Sequence, residues 1–141
     1  MTTATQIQGK ILQVFGPVVD VKFPEGHMPN LYNAITVVDA ARKIDLVLEV
    51  AQQLGNSTAR CVAMSTTDGM SRGMPANDTG APISVPVGKC TTGRLFDTLG
   101  RALETGVAHP RTGELMPPVV SETTLPIHRA APTYDEQESI S

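Results

Sequence analysis

The sequence DGMSRGMPANDTGAPISVPVG, from Asp68 to Gly88, decides how the rest of the chain is organised. Its four glycines supply backbone conformations closed to other residues, and its three prolines forbid a helix. The apolar run Ile83–Val87 is therefore predicted to be extended, with Pro82 and Pro86 confined to edge or bulge positions. Strand-forming sequence precedes this stretch and a different composition follows it. The stretch therefore predicts a junction between two regions.

Upstream of the junction, β-branched and alternating residues predict five short strands. Two lie within Gln6–Phe23 on either side of the turn at Gly16-Pro17, and the others are Ala34–Val38, Ile44–Gln52 and Thr58–Met64. Together with the junction strand Ile83–Val87 the count is about six, at regular spacing. That spacing predicts a mainly β fold, a small six-stranded closed antiparallel barrel, because closure removes exposed strand edges.

Downstream of Gly88 the pattern changes. An apolar stripe typical of a short helix is formed by Leu95, Phe96, Leu99 and Leu103, with Thr92 as the N-cap. From Glu104 onward there is little periodicity, and prolines mark an extended, irregular segment that ends in the acidic, polar TYDEQESIS. So long a tail without its own elements is unusual inside a compact domain. We expect it either to lie on something outside this chain or to be disordered.

The composition disfavours several functional classes. With 141 residues, 40% of them hydrophobic, the chain suffices for one domain with a core, or for a small domain plus an appendage. A net charge of −3 and 4% aromatic residues argue against a nucleic-acid partner. No run approaches the ~18 apolar residues that span a bilayer, so no direct membrane insertion is expected. Two isolated cysteines and the absence of signal-peptide features predict the reducing cytoplasm.

The histidines and carboxylates offer weak candidates for chemistry. His27, His109 and His128 lie beside prolines or loop residues without a partner at metal-ligand spacing, so solvent-exposed loop positions are favoured over metal ligation. Glu49 is flanked by apolar residues in a strand, which leaves two interpretations. One is a buried carboxylate with a raised pKa, and the other, favoured, is the solvent side of an alternating strand. Asp20 and Asp45 alternate in the same way and receive the same interpretation.

The cysteines and glycine-rich loops add no defensible site. Cys61, on an apolar strand, is predicted to be a small core residue. Cys90 follows Lys89, which could lower its pKa, but no histidine motif lies near it in sequence, so a catalytic thiol is a weak hypothesis. Neither the P-loop pattern nor G-x-G-x-x-G occurs. The sequence therefore predicts no catalytic, cofactor-binding or metal-binding residue.

Four strings taken together resemble one family, the β subunit of F-type ATP synthase, in its N-terminal portion. They are GKILQVFGPVVDVKFPEG (9–26), NAITV (33–37) with LVLEVAQQLGNSTARCVAM (46–64), the junction string itself, and LPIHRAAPTYDEQ (125–137). The α subunit and the vacuolar-type subunits share the barrel, but LEVAQQLG (48–55) favours the β subunit. Residues 97–120 depart from the family pattern, as does Thr91-Thr92-Gly93-Arg94 where the family usually has T-L-G-R.

The resemblance implies two domains. Residues 1–80 would be the barrel, which joins the barrels of neighbouring α and β subunits into a crown on a hexameric head. Residues 81–141 would begin an α/β nucleotide-binding domain, truncated before its P-loop. The family's P-loop, catalytic glutamate and adenine-stacking tyrosine match no position here, so no catalytic or nucleotide-binding residue is carried over.

The resemblance also implies partners and a location. The barrel edges would contact α subunits and other head subunits, in a complex peripheral to the inner face of the plasma membrane. The full-length subunit would make or hydrolyse ATP, as Mg-ATP or Mg-ADP, coupled to a proton or sodium gradient, whereas no cofactor is expected in this chain. Two alternatives remain open. One is a stand-alone barrel that acts as an interaction module or regulatory paralogue, and the weaker one is a small enzyme that uses Cys90 or His128.

Overall fold

The computed structural model describes residues 7–137, and strands dominate them. The strands are β1 (Ile7–Phe15), β2 (Val18–Lys22), β3 (Asn33–Asp39), β4 (Ile44–Gly55), β5 (Thr58–Ala63), β6 (Pro75–Pro82), β7 (Ser84–Val87) and β8 (Thr123–Pro126). Two single-turn 3₁₀ helices cover Lys89–Thr91 and Tyr134–Glu136. In the described part of the chain no helix is long and apolar enough to cross a membrane. Gln6, where the first strand was predicted to begin, and the last four residues of TYDEQESIS lie outside the described residues.

Six strands close into an antiparallel barrel in the order β1-β2-β5-β4-β3-β6, with β6 returning to pair with β1. This confirms the predicted fold class. One assignment was wrong, because the sixth barrel strand is Pro75–Pro82 rather than Ile83–Val87. The strand β6 carries mostly polar and small residues, and of its apolar side chains only Ala76 is buried in the core, so hydrophobic periodicity did not reveal it.

The barrel interior is a single apolar cluster to which every strand contributes. Its fully buried members include Ile11, Val19, Val21, Ile35, Val37, Leu48, Val50, Ala59, Cys61 and Ala76. Gly9 allows the β1 backbone to approach β2 closely. A Cβ atom there would lie 2.8 Å from the carbonyl oxygen of Lys22 and 2.9 Å from the ring of Phe23. Glycine is therefore the residue that this contact permits.

A bulge in β1 sets the register of the outer face. Ile11 pairs with Val21, but the next pair is Gln13 with Asp20, so Leu12 is the extra residue. Because the bulge adds one residue to β1, the two residues of each flanking pair still point to the same face of the sheet. Ile11 and Val21 therefore point into the core, whereas Gln13 and Asp20 point outward.

Beyond the barrel, β7 and β8 form a two-stranded antiparallel sheet in which Val85 pairs with Leu125. The helix predicted over Leu95–Leu103 is wrong, because this segment is a loop closed by a bridge between Phe96 and Ala102. The carboxylate of Asp97 accepts hydrogen bonds from the backbone N–H groups of Leu99 and Arg101, at 2.9 and 2.8 Å. Such local capture of N–H groups competes with helix formation. The apolar spacing alone could not reveal that competition.

The segment from Glu104 to Glu122 is irregular, as predicted. It is held by the Arg94–Glu104 ion pair and by a bridge between Ala108 and Leu115. Two contacts tie the downstream region to the outer face of β4: Arg101 to Asp45 at 3.3 Å, and His128 to Glu49 at 2.9 Å. Of Arg101 and His128 only His128 belongs to the predicted tail, which begins at Glu104, so the expectation that the tail either lies on something outside the chain or is disordered is wrong at His128. Several apolar side chains downstream of Gly88 stay exposed, including Leu103, Leu115, Val120 and Tyr134.

Candidate interaction surface

The three histidines have different surroundings. His27 is exposed in a loop, as predicted. The Nδ1 of His109 accepts hydrogen bonds from the backbone N–H groups of Arg111 and Thr112, so this ring stabilises a turn. His128 lies in a loop and is exposed, as predicted, and its ring also contacts Glu49 and packs against Tyr32 at 4.3 Å between ring centroids. Among residues 7–137 no cluster of three or more histidine, cysteine or acidic side chains could hold a metal ion.

The two cysteines differ in burial. Cys61 is fully buried, which confirms the prediction, and burial raises the pKa of its thiol to about 12. Cys90 lies in the first 3₁₀ helix, and its Sγ is 3.6 Å from the carbonyl oxygen of Val87. The His128 ring contacts barrel residues. The two side chains that the enzyme hypothesis invoked therefore make separate contacts.

The prediction from sequence that no nucleophile-elbow pattern surrounds any serine was wrong, because one match lies within the junction. Residues 69–73 read GMSRG and match the G-x-S-x-G spacing of a nucleophile elbow. That motif requires a turn between a strand and a helix, whereas this segment is a loop between β5 and β6. The Oγ of Ser71 is 3.3 Å from the guanidinium of Arg42. The match is therefore a coincidence of spacing.

Asp20 corrects a prediction. It was expected on the solvent side, and it does point away from the core, yet it is 1% exposed. The guanidinium of Arg60 donates two hydrogen bonds to its carboxylate, at 2.8 and 2.9 Å, and the amide of Gln13 donates a third. The hydrogen bond with Arg60 is the largest cause that holds the pKa of Asp20 below its usual range, although burial opposes it. Residues from three adjacent strands thus cover the carboxylate.

This cluster was missed because it depends on strand pairing. Register places Gln13 opposite Asp20, and Asp20 opposite Arg60. The turn at Gly16-Pro17 was the available signal, since a tight hairpin turn fixes which residues of its two strands face each other. The order in which β5 follows β2 around the barrel could not be derived from hairpin turns alone.

The other two candidate carboxylates lie on β4. Asp45 is exposed and pairs with Arg101, so its predicted position on the solvent side is confirmed. The side chain of Glu49 points outward as well, but it is only 16% exposed because His128 covers it. A buried Asn33–Asp78 hydrogen bond, 3.0 Å long, joins β3 to β6 and was not anticipated. It satisfies two buried polar groups between these neighbouring strands.

The outer face of β1, β2 and β5 forms three rows that run across the strands. The first row is apolar and consists of Phe15, Val18 and Val62, of which Phe15 is 59% exposed. The second row is Gln13, Asp20 and Arg60, and the third carries Lys10 and Lys22. We call this the three-row face. Large exposed apolar side chains beside charged ones are typical of interaction surfaces rather than of catalytic clefts.

One comparison with known proteins gives a family match over the barrel. Residues 11–80 match the model of a family described as the ATP synthase alpha/beta family, beta-barrel domain. The match begins within β1 and ends within β6, and so spans nearly the whole barrel. It does not distinguish between the alpha and beta members of the family.

Proposed function

We propose, from the premise that residues 11–80 are an N-terminal barrel domain of the ATP synthase alpha/beta family, that this chain is the N-terminal portion of a β subunit of F-type ATP synthase. The family match, coincident with a closed six-stranded barrel, is the observation that carries the proposal. Support for the β rather than the α subunit comes from the string LEVAQQLG (48–55) and from LPIHRAAPTYDEQ (125–137).

In this proposal the barrel has a structural role. Membership of the family implies assembly with other head subunits, and here the barrel lies beside those of neighbouring α subunits in a hexameric ring. A closed barrel leaves no free strand edge to pair, so side chains on its outer face would make those contacts. The three-row face supplies exposed apolar and charged side chains of the required kind.

The chemistry of the complete subunit lies outside the barrel in this proposal. Residues from 81 onward begin the nucleotide-binding domain, and Mg-ATP or Mg-ADP binds to that domain rather than to the residues described here. ATP synthesis or hydrolysis is coupled to a proton or sodium gradient. The complex lies on the inner face of the plasma membrane, on the cytoplasmic side.

Assembly with a purified α subunit tests the proposal. In the family ring α and β subunits alternate, so a β-type chain should bind an α subunit in preference to a second β subunit. Native mass spectrometry of the chain mixed with either subunit should show a mixed species with α only. Binding to a β subunit alone would indicate an α-type chain, and binding to neither would overturn the proposed assembly.

A second candidate, a self-contained interaction module, is favoured by one observation. The downstream region is tied to the barrel by the Arg101–Asp45 and His128–Glu49 contacts, so it is not wholly an unattached tail. Limited proteolysis separates the two candidates. A stable product trimmed to near Gly88 favours the β-subunit proposal, whereas a tail that resists cleavage favours a self-contained protein.

A further inference from the structure

We propose that the contact between His128 and Glu49 is a pH-sensitive attachment, which holds the downstream region on the barrel when the imidazole is protonated and loosens when the imidazole is neutral. The inference goes beyond the proposed function, because it concerns how two parts of this chain are joined and holds whichever subunit the chain belongs to. Three features of the structure carry it: the geometry of the contact, the charges around it and the strand end that it anchors.

The contact is short and partly shielded from water. The Nε2 atom of His128 lies 2.9 Å from Oε2 of Glu49, and the side chain of Glu49 is 16% exposed. The ring of Tyr32 packs against the imidazole, with 4.3 Å between ring centroids and 31° between ring planes. Because water screens charges less where it is partly excluded, the charge of the imidazole affects this contact more than it would affect a pair in open solvent.

Protonation changes the nature of the contact. Histidine is the side chain whose charge ordinarily changes between about pH 5 and 8, whereas glutamate carboxylates ordinarily stay ionised throughout that range. With a protonated imidazole, His128 and Glu49 form an ion pair as well as a hydrogen bond. With a neutral imidazole, the contact is at most a hydrogen bond to a carboxylate that keeps its charge while largely covered. The attachment is therefore weaker at about pH 8 than at about pH 5.5.

The strands beside Glu49 carry no charge that replaces the imidazole. The two residues that lie opposite Glu49, one on β3 and one on β5, are apolar. The next outward-pointing residue of β5, Arg60, is already paired with Asp20. Within residues 7–137, His128 is the basic side chain that pairs with Glu49. Loss of the proton from the imidazole therefore leaves the carboxylate without a paired positive charge.

The second attachment of the downstream region does not titrate in this pH range. Arg101 lies 3.3 Å from Asp45, four residues before Glu49 on β4, and the two side chains are 52% and 64% exposed. Arginine ordinarily stays protonated at all of these pH values, and so exposed a pair contributes little. Tyr32 and Arg129, which neighbour the imidazole in space or in sequence, belong to residue types that keep their protons over this range. A pH change between about 5.5 and 8 therefore acts on the attachment through the imidazole.

The contact anchors the end of β8 beside the junction. His128 lies two residues after Pro126, the last residue of β8. The backbone N–H of Ile127, between them, donates a hydrogen bond of 2.9 Å to the carbonyl oxygen of Ile83. Ile83 is buried and follows β6 directly. Release of the imidazole should therefore loosen the end of β8 first, at Ile127, and leave the barrel strands paired.

Hydrogen exchange in the unchanged chain and in three variants tests the attachment. Glu49→Gln removes the charge of the carboxylate, His128→Gln removes the titrating group, and the control Arg101→Gln removes the second attachment. Exchange over residues 123–128 is measured by mass spectrometry at about pH 5.5 and about pH 8. Each variant is compared with the unchanged chain at the same pH, so the intrinsic pH dependence of exchange and the titration of other histidines cancel. Exchange over β2 shows whether the barrel of each variant is folded.

We expect Glu49→Gln and His128→Gln to speed exchange about threefold at about pH 5.5, and this ratio to be about twofold smaller at about pH 8. Arg101→Gln should give the same ratio at both pH values. Ratios for the first two variants that are equal at both pH values, or larger at the higher one, would overturn the proposal. An equal pH dependence in Arg101→Gln would overturn it as well, because the effect would then not come from the imidazole.

Discussion

The imidazole of His128 lies 2.9 Å from the carboxylate of Glu49, although 79 positions separate the two residues in the chain. Glu49 belongs to the barrel strand β4, and His128 follows β8. The ring of Tyr32 stacks on the same imidazole, so three segments meet at one point. Tyr32 itself has a positive φ of 68°, an uncommon conformation for a bulky residue. The downstream region is thus attached to the barrel at a defined place.

Removal of this contact should loosen the downstream region without unfolding the barrel. We expect Glu49→Gln to speed amide exchange over residues 123–128 by about two- to fivefold, because a partly exposed pair contributes at most about 1 kcal/mol. Hydrogen exchange followed by mass spectrometry measures the effect. Glu25→Gln, a change at an exposed loop residue, is the matched control. Equal exchange in the two variants would show that the contact does not hold the region in solution.

Stability should fall in acid because of Asp20. Its pKa is lower in the folded protein than in the unfolded chain, so the ionised form stabilises the fold. This contribution to stability is complete at pH values above the pKa of the unfolded chain, roughly 4. It is lost as the pH falls through the lower pKa of the folded protein. Urea unfolding should show that Asp20→Asn costs about 1–3 kcal/mol at pH 7.

The pH dependence of unfolding needs a control variant. Asp45→Asn serves as that control because the carboxylate of Asp45 is exposed. Between pH 5 and the most acidic point that keeps the protein soluble, Asp20→Asn should lose less stability than the unchanged chain. If the free energy of unfolding changed equally with pH in both proteins, the Asp20–Arg60 pair would not contribute to acid sensitivity. Asp45→Asn should follow the unchanged chain closely.

Thiol labelling should separate the two cysteines. Cys61 is fully buried with a pKa raised to about 12, whereas Cys90 is partly accessible. Because the thiolate is the reactive form, a maleimide at pH 7 should label one thiol in the folded protein and two in urea. Cys90→Ser should abolish labelling of the folded protein. Rapid labelling of Cys61 without denaturant would contradict the closed core.

Gly9→Ala should destabilise the barrel. The added methyl group would lie within 3 Å of the Lys22 carbonyl oxygen and the Phe23 ring, so β1 and β2 must separate. Overpacking of this kind costs about 1–3 kcal/mol. Thermal unfolding should show a lower Tm for Gly9→Ala than for Gln8→Ala, a change at the exposed neighbour. Equal Tm values would mean that the strands adapt to the methyl group.

Sequence patterns predicted the barrel because five of its six strands have an apolar face with a period of two. They failed where local chemistry or pairing overrides that period. Pro75–Pro82 has few apolar residues, and the carboxylate of Asp97 replaces a helix by a loop. Asp20 is buried by neighbours on other strands, which alternation cannot show. The division into domains at residues 80 and 81 and the expectation that no residue here binds nucleotide stay predictions.

The closure of β1 on β6 has a mechanical consequence. Ile7 pairs with Asp78, so the chain enters β1 and leaves β6 at the same end of their shared seam. A force that pulls the two flanking segments apart therefore acts on that seam one residue pair at a time rather than on all pairs together. Within residues 7–137 the seam holds four residue pairs, from Ile7–Asp78 to Lys10–Pro75. Tension along the chain would therefore separate β1 from β6 before it separates the other strand pairs of the barrel.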